Sequence, residues 1–254
     1  MGSDGQEVVR LQPGCRCDHH PREIPGRTGW FDAWSRNVHG AQDLGSGERN
    51  NLTIDRLKDK LGTRSMPSGE VTLNRAHALQ VGELDRGFRQ MAEMVNTSRL
   101  SNAMRSSALM RRAVREAVEH SKSRVVFGKK LFDQPLMRAT LLPPLALDAE
   151  ASLALVAYSA QCLQAADGGD EQARALIRVL TPIAKHFVCK RARVVTGEAM
   201  EVRGGNGYIE EWANARLVRD AHLGSIWEAR AMSLRWTYFG AYASSTRTAR
   251  SRKR

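Results

Sequence analysis

The 254-residue chain carries only four cysteines, Cys15, Cys17, Cys162 and Cys189. Their number and spacing supply no disulfide framework, which fits a reducing, cytosolic setting. No uninterrupted run of about 18 apolar residues is present, so no membrane span is expected. The N-terminus lacks the apolar core of a secretory signal, and nothing in it points to export. Cys15 and Cys17 with His19 and His20 are ligand types a metal would take. Their spacing is too cramped for a structural zinc pattern, and no metal site is expected. Acidic residues are absent from residues 230–254, which hold seven basic side chains and so more than half of the net +12. Such a stretch would attract nucleic acid or acidic lipid non-specifically, with strong salt dependence, unless it is simply a solvated end.

The length suffices for a proper core in one large domain or two small ones. Residues 1–45 are rich in Gly, Pro, Arg and His, with no sustained period, and read as irregular or disordered. Between 46 and 76, Leu52-Thr53-Ile54 and Glu70-Val71-Thr72-Leu73 alternate as strands around a turn at Gly62. From 77 to 229 helical patterns dominate. Residues 84–122 place Leu100, Ala103, Met104, Met110, Ala113, Val114 and Ala117 on roughly one stripe of a 3.6-residue period. Residues 134–166 are almost continuously apolar, which predicts a helix buried on most sides, kinked where Pro143 and Pro144 remove hydrogen bonds. Asp167-Gly168-Gly169-Asp170 breaks the chain and offers a cap to a third helix over 171–202. A fourth is expected to begin near Ser225. Short connections and apolar faces predict a mainly α protein, an antiparallel four-helix bundle preceded by a short β segment.

The chemistry concentrates after the third helix, in Gly197-Glu198-Ala199-Met200-Glu201-Val202-Arg203-Gly204-Gly205-Asn206-Gly207-Tyr208. Gly204, Gly205 and Gly207 have no Cβ, so the backbone there can come close to a bulky anionic ligand. Arg216-Leu217-Val218-Arg219-Asp220-Ala221 and Ser225-Ile226-Trp227-Glu228 follow. Glu228 lies between Trp227 and Ala229, an apolar setting suited to a proton-abstracting base.

These features together resemble the acyl-CoA dehydrogenase family, whose C-terminal domain carries a GGxGY turn, an R-x-x-RDA segment and an I-W/Y-E-G loop. Arg124-Val125-Val126-Phe127-Gly128 followed by Gln134 is similar to a second family signature. The wording Arg56-Leu57-Lys58-Asp59-Lys60-Leu61-Gly62-Thr63-Arg64-Ser65, with Gln134-Pro135-Leu136-Met137-Arg138, is nearest to the AidB-like, alkylation-response branch. The resemblance runs from about Ser46 to Glu228. On it, residues 46–76 are the last piece of a middle β-barrel domain and 77–229 the C-terminal bundle.

The resemblance implies an FAD-dependent α,β-dehydrogenation of an acyl-CoA thioester. Glu228 matches the catalytic base, and Arg99 would sit near it and tune its charge. Ser98 precedes Arg99, so the base that some members carry on the first bundle helix is absent. Arg124 would meet the FAD pyrophosphate as a bidentate donor, with Phe127 and Gln134 against the adenosine side. Glu201, Gly204 and Gly205 would line the ADP portion. In the family these groups serve the flavin of a neighbouring subunit, which implies a homo-oligomer, a dimer or tetramer. Gln134 follows Phe127 by seven residues where many relatives have eight.

Departures weigh against full activity. Ala229 and Arg230 replace the glycine and hydroxyl residue expected after Glu228, and the resemblance then stops. The codons for Trp236-Thr237-Tyr238-Phe239-Gly240 can read Asp-Val-Leu-Arg one frame over, so a frameshifted C-terminus is expected over 230–254. Two alternatives to a flavoprotein remain. One is a helical module that binds DNA through Arg105, Arg111, Arg112 and Arg115, as the AidB-like branch implies; the other is a non-functional gene remnant.

Overall fold

A computed structural model describes residues 9–10, 38–40, 51–73, 77–80 and 87–227. The chain divides into two compact units, residues 1–60 with 64–95, and residues 61–63 with 96–254.

In the first unit, β1 (Val9–Arg10) and β2 (Val38–Gly40) flank β5 (His77–Gln80) in a three-stranded antiparallel sheet. Val9 pairs with Ala78, and His39 with Leu79. Two short strands thus fall within the stretch whose composition reads as irregular. Their two or three residues are too few to leave a period, and pairing with a distant strand decides them. A separate hairpin joins β3 (Leu52–Leu57) to β4 (Gly69–Leu73), with a register irregularity between Ile54 and Arg56. The Arg56 guanidinium donates to both Glu70 oxygens at 2.9 Å, and Thr72 Oγ1 donates to Asp55 Oδ2 at 2.7 Å. The alternating apolar positions Ile54, Leu57 and Val71 stay exposed in this structure.

The second unit is helical. α1 (Gly87–Ser123) begins in the first unit and lies mostly in the second. A β-hairpin, β6 (Val125–Val126) and β7 (Lys129–Lys130), leads through a 3-10 turn at Leu131–Asp133 and a π-helical turn at Met137–Leu141. Then come α2 (Leu142–Asp167), α3 (Glu171–Val202), the short α4 (Gly205–Tyr208) and α5 (Ala213–Gly224). Ala103 and Met110 of α1, Leu145 and Ala149 of α2, Ala184 and Val188 of α3, and Ala221 of α5 share one core. The abundance of alanine on these faces lets the helices approach closely, as close packing demands.

The helix breaks have local causes. Asp170 caps α3, its carboxylate accepting from Gln172 N and Ala173 N at 2.8 and 3.1 Å. Gly169, at φ +98°, makes the reversal that a residue with a Cβ would resist. α3 runs through Pro182 without ending. The expected helix over 134–166 runs from Pro135 to Asp167, with π-helical geometry over Met137–Leu141 and α-helical geometry from Leu142 on. Pro143 and Pro144 follow the π-helical turn directly and give no N–H to the helix ladder. The expected irregularity is this π-helical turn, immediately before the two prolines.

Two further expectations change. Residues 213–224, for which no helix is expected, form α5; Ser225–Trp227 are turn, and the rest of the helix expected from near Ser225 lies outside the described residues. The buried positions Asn214, Leu217, Ala221 and Gly224 do repeat at helical spacing. Among the described residues, the segment Met137–Asp167 is long and apolar enough to cross a membrane by length and composition. It carries Asp148 and Glu150, however, and these pair with Arg191 of α3 and Arg111 of α1. Eight of its residues are buried, along one face, while Leu147 and Tyr158 are exposed, so it packs as a bundle helix through one side and is not buried on most sides as its apolar run suggests.

Candidate functional site

One end of the bundle gathers most of the residues that the motifs single out. Ala113 and Ala117 of α1, Ala199 and Val202 of α3, and Leu217 of α5 form a second core cluster there. Leu131 and Phe132, just after the hairpin, pack against it. This packing brings the hairpin and the glycine turn to the same end.

Arg124 follows the last residue of α1. Its N–H donates to the His120 carbonyl at 3.0 Å, and its own carbonyl accepts from Leu131 N at 2.8 Å. The backbone is thereby pinned while the guanidinium remains exposed. Phe127 and Gly128 form the two-residue hairpin loop with φ of +52° and +76°. Two successive positive φ values match the strand twist of a tight hairpin, but Phe is a poor residue for the first of them. Its ring is 95% exposed. A strained backbone that holds an aromatic ring in solvent is a cost for which the fold itself shows no return. Gln134 donates its amide Nε2 to Val126 O at 2.8 Å, bracing the hairpin. Its Oε1 and its second amide N–H are left to meet a ligand.

The three glycines of the turn separate into two roles. Gly204 has φ +66° and ψ −144°, a region essentially closed to other residues. A Cβ at Gly204 or Gly205 would meet no atom within 4 Å, so the backbone faces open space. Glu201, one turn back, is exposed and its carbonyl accepts from Gly204 N at 2.9 Å. Gly207 is different. A Cβ there would stand 2.2 Å from the Met200 carbonyl oxygen. It is a packing glycine, and the expectation that it admits a ligand is replaced by close contact with α3.

Beneath this surface lies Arg203, which the sequence reading did not single out. It is 7% exposed, donates through Nη2 to Glu116 Oε2 at 2.8 Å, and stacks at 4.3 Å over the Trp212 ring. Arg112 also pairs with Glu116, at 2.7 Å. Arg203 Nε and His120 Nε2 are both buried without a hydrogen-bond partner. Burial, then the charges of Arg203 and Arg124, push the His120 imidazole below its ordinary value.

That shift carries a pH prediction. A histidine whose folded pKa lies below its unfolded value of 6.5 binds fewer protons in the folded state. Its contribution to stability is constant above the unfolded pKa and is lost as pH falls below it. His186 shifts in the same direction. The urea midpoint should hold between pH 8 and 7 and fall between pH 6.5 and 5. In His120→Asn that fall should be shallower; an identical profile would show that His120 does not drive it.

Glu228 lies outside the described residues, as do Cys15, Cys17, His19, His20 and the basic stretch 230–254. Ile226 and Trp227 immediately before Glu228 are exposed. Arg99 is half-buried on α1 and donates to Asn96 Oδ1 at 3.1 Å. The R-x-x-RDA segment lies on α5. Thr63 N donates to Asp220 Oδ1 at 2.6 Å, and a Cβ on Gly62 would lie 2.7 Å from the Arg219 carbonyl carbon. Arg219 grips Glu210 with both terminal nitrogens. These contacts fix the helix that leads to the Ser225–Trp227 turn. Of the four arginines considered for DNA, Arg111 and Arg112 are matched by carboxylates, which weakens the positive field of that face, while Arg105 donates to the neutral Asn102.

A four-helix C-terminal domain with this glycine turn and hairpin belongs to the acyl-CoA dehydrogenase family, whose C-terminal domain model matches residues 85–229. AidB of Escherichia coli (strain K12) is 41% identical over 185 residues, covering 73% of this chain and 34% of that protein. Caenorhabditis elegans ACDH-11, solved in complex with C11-CoA, superposes with a TM-score of 0.76 at 32% identity, over 79% of this chain and 34% of that one. Butyryl-CoA dehydrogenase from Megasphaera elsdenii superposes with a TM-score of 0.70 at 26% identity, over 82% and 55%. The chain spans about a third of the length of the first curated relatives it matches.

Proposed function

We propose that the chain supplies the C-terminal helical part of an acyl-CoA dehydrogenase-type flavoprotein, AidB-like in branch, with FAD held where copies of the chain meet. The observation that carries this reading is the pairing, at one bundle end, of an exposed Arg124–Phe127 hairpin with an open Gly204–Gly205 turn. The donor set fits the group. Arg124 offers a cation to a pyrophosphate, the Phe127 ring offers a face to a purine, and the two glycines admit close backbone approach. Gln134 keeps its amide oxygen and one N–H for it, and Glu201 lies on the adjoining turn of α3. Each of these faces outward, so a second copy is needed to close the site, as a dimer or tetramer.

When bound, FAD supplies the hydride acceptor for dehydrogenation of an acyl-CoA thioester. Glu228 takes the Cα proton, and the apolar neighbours Trp227 and Ala229 favour a carboxylate of raised basicity there. Arg99 adjusts the charge of the base. With Ala229 and Arg230 in place of a glycine and a hydroxyl, turnover by this chain alone is expected to be weak or absent.

Incubation with FAD, gel filtration and an absorption spectrum test the reading. An oligomer should elute with retained flavin, and Arg124→Gln should weaken retention about tenfold, the scale of one charge-assisted bond. Glu228→Gln should keep the flavin and lose any acyl-CoA oxidation. A colourless monomer overturns the proposal.

A further inference from the structure

α3 and α5 enclose a cleft of about 440 Å³, lined by Lys190, Arg191, Arg193, Val194 and His222. Lys190, Arg193 and Val194 stand at i, i+3 and i+4, so they share one face of α3. His222 comes from the last turn of α5. The charge here is unbalanced. Arg191 is matched by Asp148, its Nε lying 3.1 Å from Oδ2, whereas Lys190 and Arg193 have no acidic partner among the described residues. Asp220, the nearest carboxylate along α5, is engaged by Thr63 and Arg216. One turn before Lys190, the His186 imidazole is pushed below its ordinary value by burial and then by Lys190 and Lys185.

His222 adds a chemical preference. Its Nδ1 lies 2.7 Å from the Val218 carbonyl oxygen. A carbonyl can only accept, so Nδ1 carries a proton and Nε2 is the ring nitrogen left for a ligand. A phosphomonoester can share one proton with that nitrogen while its other oxygens accept from Lys190 and Arg193. Sulfate and phosphodiesters are fully ionised at neutral pH and bring no proton of their own.

We propose that this cleft binds the terminal phosphomonoester of a nucleotide-sized anion. Lys190 and Arg193 supply the charge, His222 selects the monoester, and Val194 forms an apolar wall. The volume lies within the range of small-molecule sites. The site owes nothing to the residues assigned to the flavin, so it stands or falls separately from that reading.

Calorimetry of the full chain with AMP at pH 6, near the second ionisation of a phosphomonoester, tests it, with sulfate and a dinucleotide monophosphate lacking a terminal phosphate as comparison ligands. AMP should bind, at least tenfold tighter than either comparison ligand, and the preference should be lost in His222→Phe. Lys190→Gln/Arg193→Gln should weaken AMP at least tenfold; Lys190→Glu, a single charge reversal on an exposed helix face, should do the same. AMP binding should persist with FAD at saturation. The proposal is overturned if AMP does not bind or if both Lys190 variants leave binding unchanged, which would assign the anion to the basic stretch 230–254 or to the flavin site. Equal affinity for sulfate or the dinucleotide would also overturn it, reducing the cleft to an unselective cationic surface.

Discussion

Gly207→Ala should destabilise the protein by about 3 kcal/mol, the upper range for forcing an atom into packed structure. The new methyl would stand 2.2 Å from the Met200 carbonyl oxygen and 3.0 Å from its carbon. Both are backbone atoms of α3, which cannot rotate aside as a side chain would. Relief would require the α4 turn to lift from α3, carrying Gly204 and Gly205 with it. Gly205→Ala is the matched control, because a Cβ there meets nothing within 4 Å. It should lie within about 0.5 kcal/mol of the parent, as surface substitutions usually do. Urea unfolding of the two variants reads the difference directly. Equal midpoints would mean that Gly207 is not in contact with α3 and that the turn is placed differently.

Arg203→Ala should cost about 3 kcal/mol, the low end for breaking a buried pair by removing one partner. Three contacts disappear together: the bond to Glu116, the stacking on Trp212 and the burial of the side chain's own aliphatic stem. Glu116 is 24% exposed along its side chain and keeps Arg112, which holds the loss below that of a fully isolated carboxylate. A double-mutant cycle with Glu116→Gln separates the ion pair from the packing. The coupling should be at least 1 kcal/mol. A coupling near zero, with the single Arg203 loss intact, would assign the effect to Trp212 and packing alone. Arg203→Ala should also relieve the depression of His120, so its unfolding midpoint should fall less steeply below pH 6.5 than that of the parent.

Much of the helical frame is visible in residue order. The α3 limits follow from Asp170, a cap that acts on the two N–H groups just ahead of it, and from the glycines after Val202. The stripe through Leu100, Ala103, Met110, Ala113 and Ala117 reports the buried face of α1, because helical periodicity is a property of one segment; Val114 is only half-buried, and Met104, expected on the same stripe, faces solvent. The hairpin loop could be anticipated from Phe127-Gly128 between basic and apolar residues. The positive φ at Phe127 could not, since most residues avoid that region and only the closed hairpin imposes it. α5 was missed because the glycines and polar residues around Arg216–Ala221 conceal a short period whose buried members are mainly small.

Local chemistry in the sequence thus determined the helix faces, the Asp170 cap, the open glycines at 204 and 205, and the family those motifs define. Each depends on groups within a few residues of one another. The tertiary structure decided what depends on atoms far apart in the chain: that Gly207 meets α3, that Gln134 spends its amide on Val126, and that Arg203 is buried between Glu116 and Trp212. It also decided that a π-helical turn directly precedes Pro143 and Pro144, and that Lys190, Arg193 and His222 line one cleft. A burial or a contact is the joint property of two segments, and no period or cap within either one specifies which partner it will find.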